Sequence, residues 1–214
     1  LRALVLFALF FLACCANASY SAVISSDETE YIRSSIVVFK AAGSYEHALQ
    51  VWKTPEDINA WIAANFSYDM ERAIQLSESQ RAGKERIPIY DPSEFFNIKT
   101  GICVDLSRFG VETLRRIDPC SDPKYLMVEF DPIQIRKNML RRHWLVSFRR
   151  NGKTYLFADS KCPGRIAGPY NNLLEFIHEY EQFRGRKIVD FREMQSFRKQ
   201  RQTQALKIRI KDKP

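Results

Sequence analysis

At Asp118-Pro-Cys-Ser-Asp-Pro123 the hydrophobic period of this 214-residue chain changes, and no other feature constrains its fold as much. Before that point apolar residues recur every three or four positions. Ile58, Trp61, Ile62 and Phe66 mark one such stripe, and Ile102, Leu106, Phe109, Thr113 and Ile117 mark another. Beyond it they alternate. "KYLMVEF" reads as one strand, and "HWLVSFRRNGKTYLFADS" as a hairpin of two more that turns at Asn151-Gly152. A period of 3.6 buries one stripe of a helix, and a period of two buries one face of a sheet. Helices followed by antiparallel strands predict an α+β domain.

Local signals refine this. In "KTPEDINAWIAANF", Thr54 is a helix N-cap, Pro55 the first helical residue, and Asp57 stands three past the cap. Helices are also expected over about 27–40 and 69–82, the latter followed by a polar loop, "GKERIPIYDPSE". Thr100 is read as the cap of the next helix, with Gly101, Ile102 and Cys103 as its first turn. Gly110 lies on the Cys103 side of that helix, where a missing side chain lets another element come close. "NNLLEFIHEYEQF" is amphipathic through Leu174, Phe176, Ile177 and Tyr180, and "QALKIRI" reads as a closing strand. No internal repeat or long linker divides the chain, so 19–214 reads as a single domain.

The first eighteen residues read as a signal segment. Arg2 precedes an apolar run from Ala3 to Ala13, and Ala16-Asn17-Ala18 resembles an A-x-A cleavage site. Lipid anchoring at Cys14 or Cys15 is the alternative, and both readings predict an exported (periplasmic or secreted) domain. Lys and Arg outnumber Asp and Glu 33 to 25, for a net charge of +8. Seven of the basic residues, against one Asp, fall in 198–214. Such a segment suits an anionic envelope or membrane surface, and in an exported protein nucleic acid is not the expected partner.

Three cysteines lie beyond the leader: Cys103, Cys120 and Cys162. An exported chain permits a disulfide, and the turn-like settings of Cys120 and Cys162 pair those two, leaving Cys103 free. No C-x-x-C or H-x₃-H spacing is present, so no metal and no cofactor are expected.

A free thiol at a helix start has a chemical use, because unsatisfied N–H groups there favour thiolate. A cysteine nucleophile also needs a base, an orienting group for that base, and donors for an oxyanion. Of the three histidines, His47 precedes a helix and His178 lies among glutamates. His143 opens a strand able to return beside the cysteine helix, and Asp159 ends the next strand.

Register tests this. If Asn151-Gly152 is a two-residue turn, Arg150 opposes Lys153, Asp159 faces Trp144, and His143 and Asp159 point to opposite sides. If Arg150-Asn151-Gly152 is a three-residue loop, His143 opposes Asp159 and both share a face. A Cys-His-Asp site therefore requires the three-residue loop, or a bulge elsewhere.

"TGICVDLSRF", then "HWLVSF" with its His forty residues after the Cys, then "YLFADS" with its Asp sixteen further, resembles the transglutaminase-like superfamily. The resemblance runs from about Trp52 to Asp159 and includes Tyr68-Asp69. One departure is that Trp144 follows His143 directly, where the family often shows Ala-Trp. The resemblance implies a papain-like core, with the nucleophile helix packed on an antiparallel sheet. It implies thiol acyl transfer at a peptide or isopeptide amide of a protein or peptide substrate. Cys103 is then the nucleophile, His143 the base and acid, and Asp159 the orienting residue. The oxyanion donors would be the Cys103 N–H with the side chain of Asn97 or Tyr68, and Asp105 would complement the helix dipole. A catalytically silent binding module on the same fold is the alternative.

Overall fold

The computed structural model describes residues 39–81, 87–135 and 138–196. The signal segment, the basic segment 198–214 with "QALKIRI", and all but the last two residues of the helix expected over 27–40 lie outside these.

Helices come first. α1 (Tyr45–Val51), α2 (Pro55–Asn65), α3 (Met70–Arg81), α4 (Pro92–Ile98) and α5 (Cys103–Ile117) precede a 3₁₀ turn at Pro119–Ser121. Two short strands lie among them, β1 (Ser67–Tyr68) and β2 (Thr100–Gly101), paired in parallel. After the 3₁₀ turn come β3 (Lys124–Ile135), β4 (Asn138–Arg150), β5 (Lys153–Phe157) and β6 (Ala167–Tyr170). Then follow α6 (Leu173–Arg184) and β7 (Ile188–Met194). The five long strands form one antiparallel sheet in the order β6-β5-β4-β3-β7. The α+β reading holds, with the period change falling at Asp118 as expected.

The start of α2 follows its sequence signal closely. Thr54 Oγ1 accepts from Asp57 N–H, and Asp57 Oδ2 accepts from Thr54 N–H at 3.1 Å, a reciprocal cap that satisfies two otherwise orphaned donors. Pro92 opens α4 in the same way, behind an Asp91 cap. These two helices and α5 bury an aromatic cluster of Trp52, Trp61, Phe95, Phe96 and Phe109, all at most 4% exposed. Trp61 stacks on Phe96 at 5.0 Å between ring centroids. Each such side chain contributes roughly 1.5–3 kcal/mol by burial, enough to fix α5 in place.

α5 lies against β4 and β5. A Cβ at Gly110 would fall 2.8 Å from Val146 Cγ2 and 3.4 Å from the Ala158 Cβ, so glycine is what lets helix and sheet approach. α6 covers the opposite face, where Phe176, Ile177 and Tyr180 meet Leu126, Val128, Leu145 and Leu156. Leu174, expected in that stripe, is 55% exposed, and its neighbour Leu173 packs against the cluster instead.

The hairpin turns in two residues. Arg150 pairs with Lys153 and Val146 with Phe157, and Asn151 and Gly152 both take positive φ, at 51° and 73°. The three-residue loop is therefore not used, although the site it was required for is assembled by another route, described below. The Cys120–Cys162 pairing also fails: both thiols are free. Cys120 follows the C-terminal end of α5, whereas Cys162 belongs to the loop beside the N-terminal end. A fifteen-residue helix separates those ends by about 22 Å, and a disulfide needs Cα atoms within about 7 Å.

Candidate active site

Cys103 is the first residue of α5 and is half-buried. The helix begins two residues later than Thr100 suggests. Thr100 and Gly101 are taken by β2, where Gly101 C=O accepts from Asp69 N–H at 2.8 Å. Ile102 becomes the cap residue, and Asp105 accepts its N–H at 3.1 Å. The effect is to move Cys103 to the first position of the helix, where its own N–H has no intrahelical acceptor.

Asp105 does more than complement a dipole. It is fully buried, and Arg72 from α3 holds it through Nε at 2.8 Å and Nη2 at 3.0 Å. Tyr90 N–H adds a further bond at 3.0 Å, and the Arg72 guanidinium lies 3.7 Å over the Tyr90 ring. The first turn of α5 is thus tied to α3 and to the loop before α4.

His143 reaches the same place from β4. The β4–β5 ladder ends at Val146↔Phe157, so at His143 β4 is paired with β3 through Val128 but has no strand on its β5 side. Ala158 then takes a left-handed conformation, φ 59°, which departs from the strand and turns Asp159 back toward β4. This irregularity does the work that a three-residue hairpin loop would have done. His143 Nε2 and Asp159 Oδ1 are 2.8 Å apart, and both residues are only 6% exposed. Cys103 lies close enough to His143 to act on its imidazole, and with Nε2 taken by Asp159 the nitrogen left for the thiol is Nδ1.

Burial alone would disfavour an imidazolium here. The hydrogen bonds and negative charges of Asp159 and Cys103 outweigh it and hold the His143 pKa up at about 9. Burial would likewise raise the Asp159 carboxyl, but the hydrogen bond and charge of His143, the Lys161 N–H and the Tyr180 hydroxyl bring it down to about 2. Tyr68, on β1 beside Gly101, is pushed up to about 12 by burial and then by the charges of Cys103 and Asp69. It is therefore a neutral donor at any ordinary pH. The Lys161 ammonium lies 5.5 Å from its ring centroid.

Asn97 is not brought to the thiol in this way. It lies on the exposed side of α4, whose inward residues are Phe95 and Phe96, and no described hydrogen bond joins it to the site. His47 and His178 are exposed elsewhere. Among the described residues no cluster of three or more His, Cys, Asp or Glu is placed to hold a metal ion, and no helix is long and apolar enough to cross a membrane. Three contributors escape the sequence reading: Arg72, Tyr180 and Arg184. Tyr180 reads only as an apolar helix position, yet its hydroxyl donates to Asp159 Oδ2 at 2.7 Å. A buried tyrosine needs a partner for its hydroxyl, and that requirement is the signal that marks it.

The fold thus brings a helix-start thiol, a strand histidine and a loop aspartate to one place. A family model for the transglutaminase-like domain matches residues 46–184, more than half of the sequence, and the chain belongs to that family. A search of curated proteins found no match. Among solved structures, EGTA-treated LapG of Legionella pneumophila is similar at 17% identity, over 55% of this chain and 69% of that one. Its TM-score is 0.24.

Proposed function

We propose that the chain is a thiol enzyme that cleaves or transfers the acyl group of a peptide or isopeptide amide, through Cys103, His143 and Asp159. The observation that carries this is the buried His143–Asp159 pair, 2.8 Å apart, with a thiol at a helix N-terminus close enough to act on the same imidazole. Cys103 sulfur attacks the amide carbonyl carbon and forms a C–S bond, and the carbonyl oxygen becomes an oxyanion. The His143 Nδ1 proton passes to the amide nitrogen as the C–N bond breaks and the amine leaves. Water or a second amine then attacks the thioester, its proton goes to Nδ1, and C–S cleavage releases the Cys103 thiolate beside the restored imidazolium. The Cys103 N–H and the Tyr68 hydroxyl are the oxyanion donors this reading favours, Tyr68 ahead of Asn97, because Tyr68 stands close enough to Cys103 to feel its charge.

The acyl donor is then a protein or peptide. The basic segment 198–214, with seven Lys/Arg and one Asp, would hold the enzyme to an anionic surface. Incubation with a mass-tagged peptide-amide library, with and without added amine, tests the chemistry. Turnover is expected in wild type and in Cys162→Ala, and is expected to be lost in Cys103→Ala and His143→Ala. Turnover that survives Cys103→Ala contradicts the assignment. A folded protein with no turnover and no acyl-enzyme points instead to the binding module.

A further inference from the structure

The carboxylate of Asp159 carries three donors, and one of them, the Tyr180 hydroxyl, comes from a separate element, α6. His143 Nε2 and the Lys161 backbone N–H both reach Oδ1 at 2.8 Å, while the Tyr180 hydroxyl takes Oδ2 at 2.7 Å. Behind that hydroxyl, Arg184 Nη1 lies 2.7 Å from the same phenol oxygen. A guanidinium only donates, and an ionised carboxylate only accepts. The phenol oxygen therefore accepts from Arg184, and its single proton is directed at Asp159. The chain of bonds has one direction: Arg184 to Tyr180 to Asp159, whose other oxygen holds the His143 N–H.

Asp159 has need of such a hold. It stands beyond the last β4–β5 pair and after a left-handed Ala158, so no ladder fixes its backbone. Tyr180 and Arg184, four apart and so neighbours on one side of α6, approach it from a separate element. Tyr180 is 5% exposed, its ring lies 22° from the His143 ring plane with centroids 6.3 Å apart, and Phe176 stacks on it at 4.9 Å.

We propose that Tyr180, aimed by Arg184, is a positioning residue of the thiol site: it locks Asp159 in the rotamer that faces His143, and so keeps the imidazole proton on Nε2 and Nδ1 turned to Cys103. The proposal rests on the thiol chemistry above and is testable apart from it. Among the described residues, the titratable groups that face His143 are Cys103 from α5, Asp159 from the loop after β5, and Tyr180 from α6.

The test is an NMR titration of ¹⁵N-histidine-labelled protein. The chain has three histidines, two of them exposed, and His143→Ala identifies the third. In wild type the His143 imidazolium persists to about 9. Tyr180→Phe lowers that midpoint by about one pH unit or more, because the released carboxylate no longer stays on the imidazolium, and the Nε2–H signature of the neutral ring is lost above it. Arg184→Met, at a half-exposed position, moves the midpoint in the same direction by less. Ile177→Ala, buried on the same helix, lowers Tm but leaves the midpoint in place, as a purely structural contribution would. Both variants titrating as wild type, with a high wild-type midpoint, overturns this proposal and leaves the thiol reading standing. A wild-type midpoint near the ordinary 6.5 overturns both.

Discussion

Asp105 stands two residues from the thiol with four hydrogen bonds on its carboxylate, two of them from Arg72. A buried pair of this kind adds little over an apolar pair, but breaking it leaves one charge stranded. Arg72→Met is therefore expected to cost about 3–5 kcal/mol, read as a shift of the urea midpoint. The double variant Arg72→Met/Asp105→Leu should recover a large part of that loss. The His143–Asp159 pair makes a pH prediction. Asp159 is lowered from 3.8 to about 2, so its contribution is present above 3.8 and is lost as pH falls through about 2. His143 is raised from 6.5 to about 9, so its contribution is complete below 6.5 and is lost as pH rises through about 9. The stability of wild type relative to His143→Ala should thus peak between about 4 and 6.5 and shrink toward pH 9. An unfolding series at fixed ionic strength reads it. Cys103, His143 and Asp159 are legible in the sequence because their residue types and order match a known chemistry. Arg72 and Tyr180 are not, because their carboxylate partners are brought near only by packing of separate elements, and Arg184 gains its place only through Tyr180, its neighbour on α6.

Elements with strong local signals are read correctly, and those held by tertiary pairing are not. α2 announces itself through Thr54, Pro55 and Asp57, and α3 is observed over Met70–Arg81 against an expected 69–82. α4 carries the same kind of signal in Asp91-Pro92, but its seven residues are short and the surrounding prolines read as loop. β6 and β7 are edge strands of the sheet, and β7 mixes charged with apolar residues, so alternation does not mark it. The hairpin register is the instructive case. Asn-Gly selects the two-residue turn, as its preference for positive φ at both positions dictates, and the strand is corrected at its far end by Ala158. A left-handed alanine costs about 1–2 kcal/mol, and a β-branched side chain suits it less still. Ala158→Val is expected to lower Tm and to slow Cys103 labelling, since Asp159 follows directly in the chain. Gly110→Ala gains up to about 1 kcal/mol of helix propensity but drives a methyl to 2.8 Å from Val146 Cγ2. Overpacking of this kind costs about 1–3 kcal/mol, so net destabilisation is expected in a thermal melt.

At the scale of the molecule, two hydrophobic layers on opposite faces of one sheet bring α5 and α6 to the same histidine, His143. The aromatic cluster fixes the thiol helix, the α6 layer fixes the aspartate through Tyr180, and His143 stands between them on β4. That division explains why the fold class was legible from the period change at Asp118 alone, whereas the site needed the helix that follows it by some fifty residues. The central claim is that this arrangement activates Cys103, and the protein carries its own reference thiol in Cys120, which is free and exposed. The most direct measurement is the rate of iodoacetamide labelling at both cysteines in the native protein at pH 6, read by peptide mass spectrometry. An ordinary thiol, with a pKa near 8.5, is almost entirely protonated there and reacts slowly. The account predicts that half-buried Cys103 labels about tenfold faster than exposed Cys120, and that His143→Ala reverses the order. Labelling led by Cys120 in wild type, with Cys103 reacting only after denaturation, would contradict it.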